Sequence, residues 1–276
     1  MTQRGEGPGL PGLAKVARAM TIAGSDSGGG AGVQADLKSF AAMGVYGTSV
    51  LTAITAQNTL AVTDVLELPV SLIESQIDAV VSDIGTDAVK TGMLSSAAII
   101  EAVAGKIKEH GLANLVVDPV MVAKSGDKLL RDEAIEVLRD LLVPLATLVT
   151  PNIPEAEALT GRSIADVDEA REAAIKIVDM GAKAVVVKGG HLAGPASDIF
   201  YDGEEFRVFT AQRISSTSTH GTGCTFASAT AAGLAKGLSL RDSVSQAKRF
   251  VTEAIRRAYP MGRGHGPLNH FYEFWG

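Results

Sequence analysis

The chain has 276 residues, 46% of them hydrophobic and 20% charged, with 30 glycines and one cysteine. That composition excludes disordered, collagen-like and membrane-embedded classes and is enough to build a sizeable buried core. Lys and Arg number 25 against 31 Asp and Glu, a net charge of -6, so broad attraction to nucleic acid or to an anionic membrane is disfavoured and any bound anion must be gripped locally.

Cys224 alone can form neither an intramolecular disulfide nor a multi-cysteine metal site, which fits a reducing compartment, the cytoplasm. The opening MTQRGEGPGLPGLAKVARAM carries Gly and Pro where a secretory signal needs an apolar stretch, and no apolar run approaches the ~20 residues of a membrane span. Residues 1–17 read as a flexible extension and 18–276 as one domain. Six short runs are almost continuously apolar: TIAGS (21–25), TSVLTAI (48–54), AVKTG (88–92), LVVDP (115–119), TLVTP (147–151) and AVVVKGG (184–190). Such runs suit strands buried on both faces. Between them, Leu72, Ile73, Ile77, Val80, Val81 and Ile84, and then Ala134, Ile135, Leu138, Leu141 and Leu142, recur at the three- and four-residue spacing of amphipathic helices. Alternating strands and helices imply a mainly parallel sheet with right-handed crossovers, whose ligands bind beyond the carboxyl ends of the strands. In DIFYDGEEFRVFTA (198–211) two alternating runs flank Asp202-Gly203, a hairpin that adds a small antiparallel edge. GRGHGPLNHFYEFWG (262–276) reads as a tail docked by its aromatics.

The chemistry is therefore sought at strand ends. GSDSGGGAGVQAD (24–36) leads from the first strand into a helix, where glycines let backbone approach a ligand and the helix start favours an anion. Its match to the dinucleotide fingerprint lacks the acidic residue expected ~20 positions on, so a flexible turn competes with a ligand loop. Asp118 ends a strand before Pro119 and could organise a metal or start a turn. In TPNIPE (150–155), Asn152 and Glu155 have the spacing of a helix capping box, the reading favoured on spacing alone. Lys188 closes its strand either as a phosphate ligand or as a solvated terminal lysine. In STSTHGTGCTFASATAAGLAKG (216–237) the amides of Gly221, Thr222, Gly223 and Cys224 open an Ala-rich helix, and an anion hole built without lysines stands level with an ordinary cap. There the helix dipole is expected to lower the Cys224 pKa toward the thiolate. No P-loop, H-E-x-x-H or G-x-S-x-G motif is present.

The segments TIAGSDSGGGAGVQADLKSFAAMGVYGTSVLTAITAQNT, VKTGML, VVDPVMVAKSGDKLL, VTPNIPEAEALTG, VVVKGGH and THGTGCTFASA, in this order, together with the GHGPLNHFYEFW tail, closely resemble the hydroxymethylpyrimidine/phosphomethylpyrimidine kinases of thiamin synthesis, members of the ribokinase-like superfamily. The resemblance covers about residues 19 to 276. It implies a three-layer α/β/α ribokinase-like fold and phosphorylation, dependent on ATP and Mg2+, of 4-amino-5-hydroxymethyl-2-methylpyrimidine and then of its monophosphate. It also implies a homodimer and leaves a monovalent-cation requirement open. Carried over, the pyrimidine pocket falls on Gly24, Asp36, Gln57, Met93 and Val120, with Cys224 near the hydroxymethyl group, where a thiol beside the helix-start dipole is expected to accept the alcohol proton. Asn152 and Glu155 fall on a Mg2+–phosphate water network, Lys188 on the ATP phosphates, the 221–224 amides on the anion hole, and Asp118 near Mg2+. Where many sugar and pyridoxal kinases of the superfamily carry aspartate, this chain has Cys224, and its first loop reads SDSGGG where relatives often place a proline. A pyridoxal kinase on the same fold competes with this reading, as does a non-catalytic nucleotide- or vitamer-binding protein.

Overall fold

The computed structural model describes residues 16–123, 126–127, 129–191 and 195–275. Apart from its last two residues, the extension expected over 1–17 lies outside them. The described strands are β1 (Arg18–Asp26), β2 (Tyr46–Gln57), β3 (Val62–Glu67), β4 (Ala88–Thr91), β5 (Leu115–Val117), β6 (Leu148–Val149), β7 (Val185–Lys188), β8 (Ala196–Tyr201) and β9 (Phe206–Ala211). They form one sheet in the order β3-β2-β1-β4-β5-β6-β7-β8-β9. The strands from β2 to β7 are parallel in this order, while β3 at one edge and β8 and β9 at the other are antiparallel.

The continuous apolar runs arise because side chains alternate between two covered faces. Met20, Ile22, Leu115, Val117, Val185 and Val187 point into one core layer, under α2 (Val70–Asp83), α3 (Ala97–Glu109), α4 (Asp132–Val137), α5 (Ile153–Thr160) and α6 (Val167–Asp179). Ala19, Val116, Leu148 and Val186 point into the other, under α1 (Gly32–Ala42), α7 (Thr222–Ala235) and α8 (Leu240–Arg256). The result is the expected three-layer α/β/α architecture. Helix α7 is buried at every position from 225 to 234; its run of Ala and Gly has little volume to accommodate, so both the sheet and α8 approach it closely.

Three details depart from expectation. Strand β3 gives the sheet a second antiparallel edge; its alternating pattern is hidden because Thr63, Asp64, Val65 and Leu66 are all exposed, leaving no inward face to read. The helix expected through 142 is regular only to Val137, then widens to a π turn (Leu138–Leu142) and tightens to a 3-10 turn holding Pro144, whose ring and missing N–H cannot continue an α-helix. The C-terminal tail is docked by Leu268, His270 and Tyr272, whereas Phe274 and Trp275 are 67% and 64% exposed.

Candidate active site

The first strand–helix turn is organised by a carboxylate. Asp26 Oδ1 accepts from the Gly28 amide at 2.8 Å, and Oδ2 accepts from the amides of Gly30 at 3.0 Å and Ala31 at 2.8 Å and from His220 Nε2 at 2.8 Å. Burial would raise the Asp26 pKa, but the His220 bond and these amides hold it below the usual carboxylate range. The glycine-rich loop is thus clamped to the segment that precedes α7.

Gly221 caps α7 with φ of +81°, and a Cβ on it would fall 1.8 Å from the Gly30 carbonyl oxygen, so both backbone conformation and space demand glycine. Among the described residues the amides of Gly221, Gly223 and Cys224 have no hydrogen-bond acceptor, whereas Thr222 turns its amide and hydroxyl back to the Thr219 carbonyl. Three of the four expected amides are therefore open at a helix start, where an anion is favoured. A Cβ on Gly223 would come 3.2 Å from Lys188 Nζ and 3.6 Å from Asp118 Oδ2, which places these ends of β7 and β5 against the same helix start.

Lys188 Nζ lies 3.0 Å from Asp118 Oδ1, which Thr150 Oγ1 also approaches at 3.3 Å. Asp118 Oδ2 is buried with no hydrogen-bond partner. Burial alone would lower the Lys188 pKa, but Asp118 and Glu155 raise it. The capping box forms: Glu155 N donates to Asn152 Oδ1 at 2.9 Å and Asn152 N to Glu155 Oε2 at 2.8 Å. Glu155 is nonetheless buried, and desolvation, opposed by Lys188 and reinforced by Asp118, pushes its pKa up to about 7. One residue caps a helix and still presents a carboxyl to the site.

Cys224 is half-buried. The expected lowering of its pKa is corrected here: desolvation pushes the thiol up to about 12, because the carboxylates of Asp36 and Asp118 add to burial and outweigh Lys90 and the Gly32 amide. Asp36, expected in the pyrimidine pocket, needs a second correction. Its side chain is fully buried, with Oδ2 accepting from Thr21 Oγ1 at 2.6 Å and Lys90 Nζ at 2.9 Å and Oδ1 from Ser228 Oγ at 2.5 Å. With both oxygens spent, the carboxylate has no face for a ligand and lies beneath the site. Burial would lower the Lys90 pKa; Asp36, then Cys224 and Asp118, raise it.

A Cβ on Gly24, near the end of β1, would meet the Met93 sulfur at 3.0 Å. Gln57, at the end of β2, has its carboxamide between Thr55 Oγ1 at 3.2 Å and His220 Nε2 at 3.4 Å. Val120 is half-buried two residues past Asp118, its amide bonded to the Asp118 carbonyl. A groove lined by Val65, Glu67, Met93, Ser95 and Leu130 borders this side. Asp26, Lys90 and His220 were missed. A signal existed for Lys90, since a lysine within a doubly covered strand needs a buried acid.

With this geometry in place, comparison with known proteins is informative. The family model for phosphomethylpyrimidine kinase matches residues 26–269. Hydroxymethylpyrimidine/phosphomethylpyrimidine kinase from Bacillus subtilis is 51% identical over 256 residues, covering 92% of this chain and 94% of its own. A thiamine biosynthesis bifunctional protein from Geobacter sulfurreducens is 56% identical over 252 residues, covering 91% of this chain, which spans only 51% of that longer protein. Among solved structures, Bacillus subtilis pyridoxal kinase with ADP superposes with a TM-score of 0.89 at 42% identity, covering 95% of this chain and 100% of its own. Phosphomethylpyrimidine kinase from Clostridium difficile 630 superposes with 0.79 at 47% identity, covering 87% and 100%. Among the described residues no helix is long and apolar enough to cross a membrane.

Proposed function

The chain belongs to the phosphomethylpyrimidine kinase family, and from that premise we propose that it phosphorylates 4-amino-5-hydroxymethyl-2-methylpyrimidine, and then the monophosphate, at the expense of ATP. The observation that carries this reading is that the start of α7, three of whose amides are open, lies at Gly223 against Lys188 and the half-satisfied Asp118. Such an array stabilises charge spread over a transferring phosphoryl group, and that stabilisation, with positioning, is most of what phosphoryl transfer asks of a protein.

In the first step the hydroxymethyl oxygen attacks the γ-phosphorus of ATP. The new O–P bond forms as the bond to the bridging oxygen breaks, ADP departs, and the alcohol proton passes to the thiolate form of Cys224. The amides of Gly221, Gly223 and Cys224 and the Lys188 ammonium hold the phosphoryl oxygens; Thr222 sets the turn that aims them. Asp118, with its bare buried oxygen, and Glu155 beside it, acting through water, fit Mg2+, which when bound supplies further neutralisation of phosphate charge. Asn152 holds Glu155 in place. Gly24, Met93 and Val120 are proposed to take the flat ring and Gln57 its polar edge. In the second step a phosphate oxygen is the nucleophile; its second pKa is about 6, so no base is needed near neutral pH. A homodimer and a cytoplasmic location belong to the same proposal.

The pyridoxal kinase likeness, at a TM-score of 0.89, makes pyridoxal the comparison substrate. ADP release with the aminopyrimidine alcohol should exceed that with pyridoxal in kcat/KM. The reverse ranking would transfer the function to the vitamer, and no turnover of either would leave only a binding protein.

A further inference from the structure

The tail that follows α8 runs along the glycine-rich side of the site and meets it at several points. The His265 amide donates to the Thr59 carbonyl at 2.9 Å, two residues past Gln57. The Gly266 amide donates to the Thr217 carbonyl at 3.1 Å, and the Gly266 carbonyl accepts from the His220 amide at 3.0 Å. A Cβ on Gly30 would meet Pro267 Cβ at 3.2 Å, so the tail also lies against the first glycine loop. Farther on, His270 Nε2 and Thr225 Oγ1 are hydrogen bonded at 2.9 Å. The tail therefore brackets Gly221. It holds the chain at His220, just before that glycine, and again at Thr225, whose amide donates to the Gly221 carbonyl at 2.9 Å and closes the first turn of α7. The open amides of Gly221, Gly223 and Cys224 sit on that turn.

Docking alone does not ask for a histidine at 270. Leu268 and Tyr272 fasten the tail by apolar burial. Asn269 ties it to the end of α8, its amide donating to the Ala254 carbonyl and its side chain to the Arg257 carbonyl, each at 3.1 Å. His270 is buried, and desolvation, aided by Lys38, pushes its pKa down to about 4, so the ring is neutral at ordinary pH. Burying an imidazole and a hydroxyl costs free energy that a bond between them recovers only in a narrow geometry. Such a pair fixes direction where an apolar pair would fix only proximity. We infer that His270 is a positioning residue for phosphoryl transfer: through Thr225 it holds the first turn of α7, so that the amides of Gly221, Gly223 and Cys224 keep the aim a transferring phosphoryl group requires. This rests on the proposed function.

Separate kcat and KM values for the alcohol and the monophosphate test it. Thr225→Val and His270→Phe each keep an apolar body in place and remove the bond. Either should lower kcat about tenfold in both steps, since misaimed donors act on the phosphoryl group common to both, with the pyrimidine KM within about twofold. Combined, the two should cost no more than one alone, because the bond is lost only once. Thr225→Ser keeps the hydroxyl and should hold kcat within about twofold of the wild type. Unchanged kcat in both single variants, losses that multiply in the double variant, or Thr225→Ser as slow as Thr225→Val would overturn the assignment. Hydrogen–deuterium exchange reads the turn without any substrate: in His270→Phe the Thr225 amide should exchange about tenfold faster, and an unchanged rate would also overturn it. Should His270→Phe not fold, Thr225→Val and Thr225→Ser carry both readouts. Failure of the wild type to phosphorylate the alcohol would count instead against the proposed function, while the exchange result would still decide whether His270 holds the turn.

Discussion

Two lysine–aspartate pairs each set a lysine of a parallel strand against an aspartate, Lys90–Asp36 at 2.9 Å and Lys188–Asp118 at 3.0 Å, and they are built for opposite ends. The first is closed. Both partners are 0% exposed, and Asp36 has each oxygen engaged, by Thr21 and Lys90 on one side and Ser228 on the other. The second is open: Lys188 keeps 15% of its side chain accessible, Asp118 has one oxygen without a partner, and the start of α7 at Gly223 lies against them both. A pair sealed from solvent with each carboxylate oxygen bonded within the protein holds the fold, whereas a pair that keeps a bare oxygen and an accessible ammonium has the capacity to bind something else. The difference lies in the neighbours. Thr21, Asp36 and Ser228 close over Lys90 between β1, α1 and α7, while glycine at 223 keeps a side chain from filling the space beside Lys188.

The sharpest way to break the comparison is to open the closed pair. Lys90→Met leaves the Asp36 carboxylate buried without its counter-charge and should cost about 3–5 kcal/mol of unfolding free energy, read by urea denaturation. Replacing both, with Asp36→Leu added, should recover most of that loss, because two apolar groups need no partners. A single variant that unfolds at the wild-type urea midpoint would show that the pair is not what holds α1 and α7 to the sheet.

The matching change at the open pair should fall on turnover. Lys188→Met removes one of the groups facing the transferring phosphoryl and should lower kcat by about 100- to 1,000-fold. Its stability loss should stay below that of Lys90→Met, since water can reach the end of β7. Assays at saturating ATP separate this from weaker nucleotide binding, and an unchanged kcat would remove Lys188 from the phosphoryl site.

What was legible beforehand follows the same division. The parallel sheet and the hairpin around Asp202-Gly203 were readable because period and turn chemistry are local signals, whereas glycine spacing alone left the head of α7 level between an anion hole and an ordinary cap. The convergence of Lys188, Asp118 and Asn152-Glu155 was suggested only by resemblance, since spacing alone favoured a cap, and the cap is indeed there. Strand β3 was missed because its residues have no buried face, and Asp36 was misplaced because nothing in the helix sequence says that Lys90, 54 residues away, will consume its charge. The Asp26–His220 clamp spans 194 residues, and such a contact exists only once the chain has folded. The pKa of Cys224 was misjudged for a related reason: the helix start is local, but the two carboxylates and the burial that outweigh it are not.

Cys224 lies between the two pairs and feels both, and the smallest expected effect follows from its neutral thiol. With the pKa pushed up to about 12, the thiolate fraction near neutrality is small and grows about tenfold for each pH unit below that value. If that thiolate takes the alcohol proton, kcat for the alcohol should climb steadily from about pH 7 to about pH 9, while kcat for the monophosphate, whose phosphate loses its last proton near pH 6, should stay flat. Cys224→Ala should lower the alcohol rate about 100-fold and abolish the slope, leaving the monophosphate rate within a few-fold. The sign comes from the raised pKa, since a thiol already ionised at neutrality would give no slope in this range. A flat alcohol profile in the wild type, or equal losses in both steps for the variant, would mean that the sulfur only shapes the pocket and that the loose transition state sheds its proton to solvent.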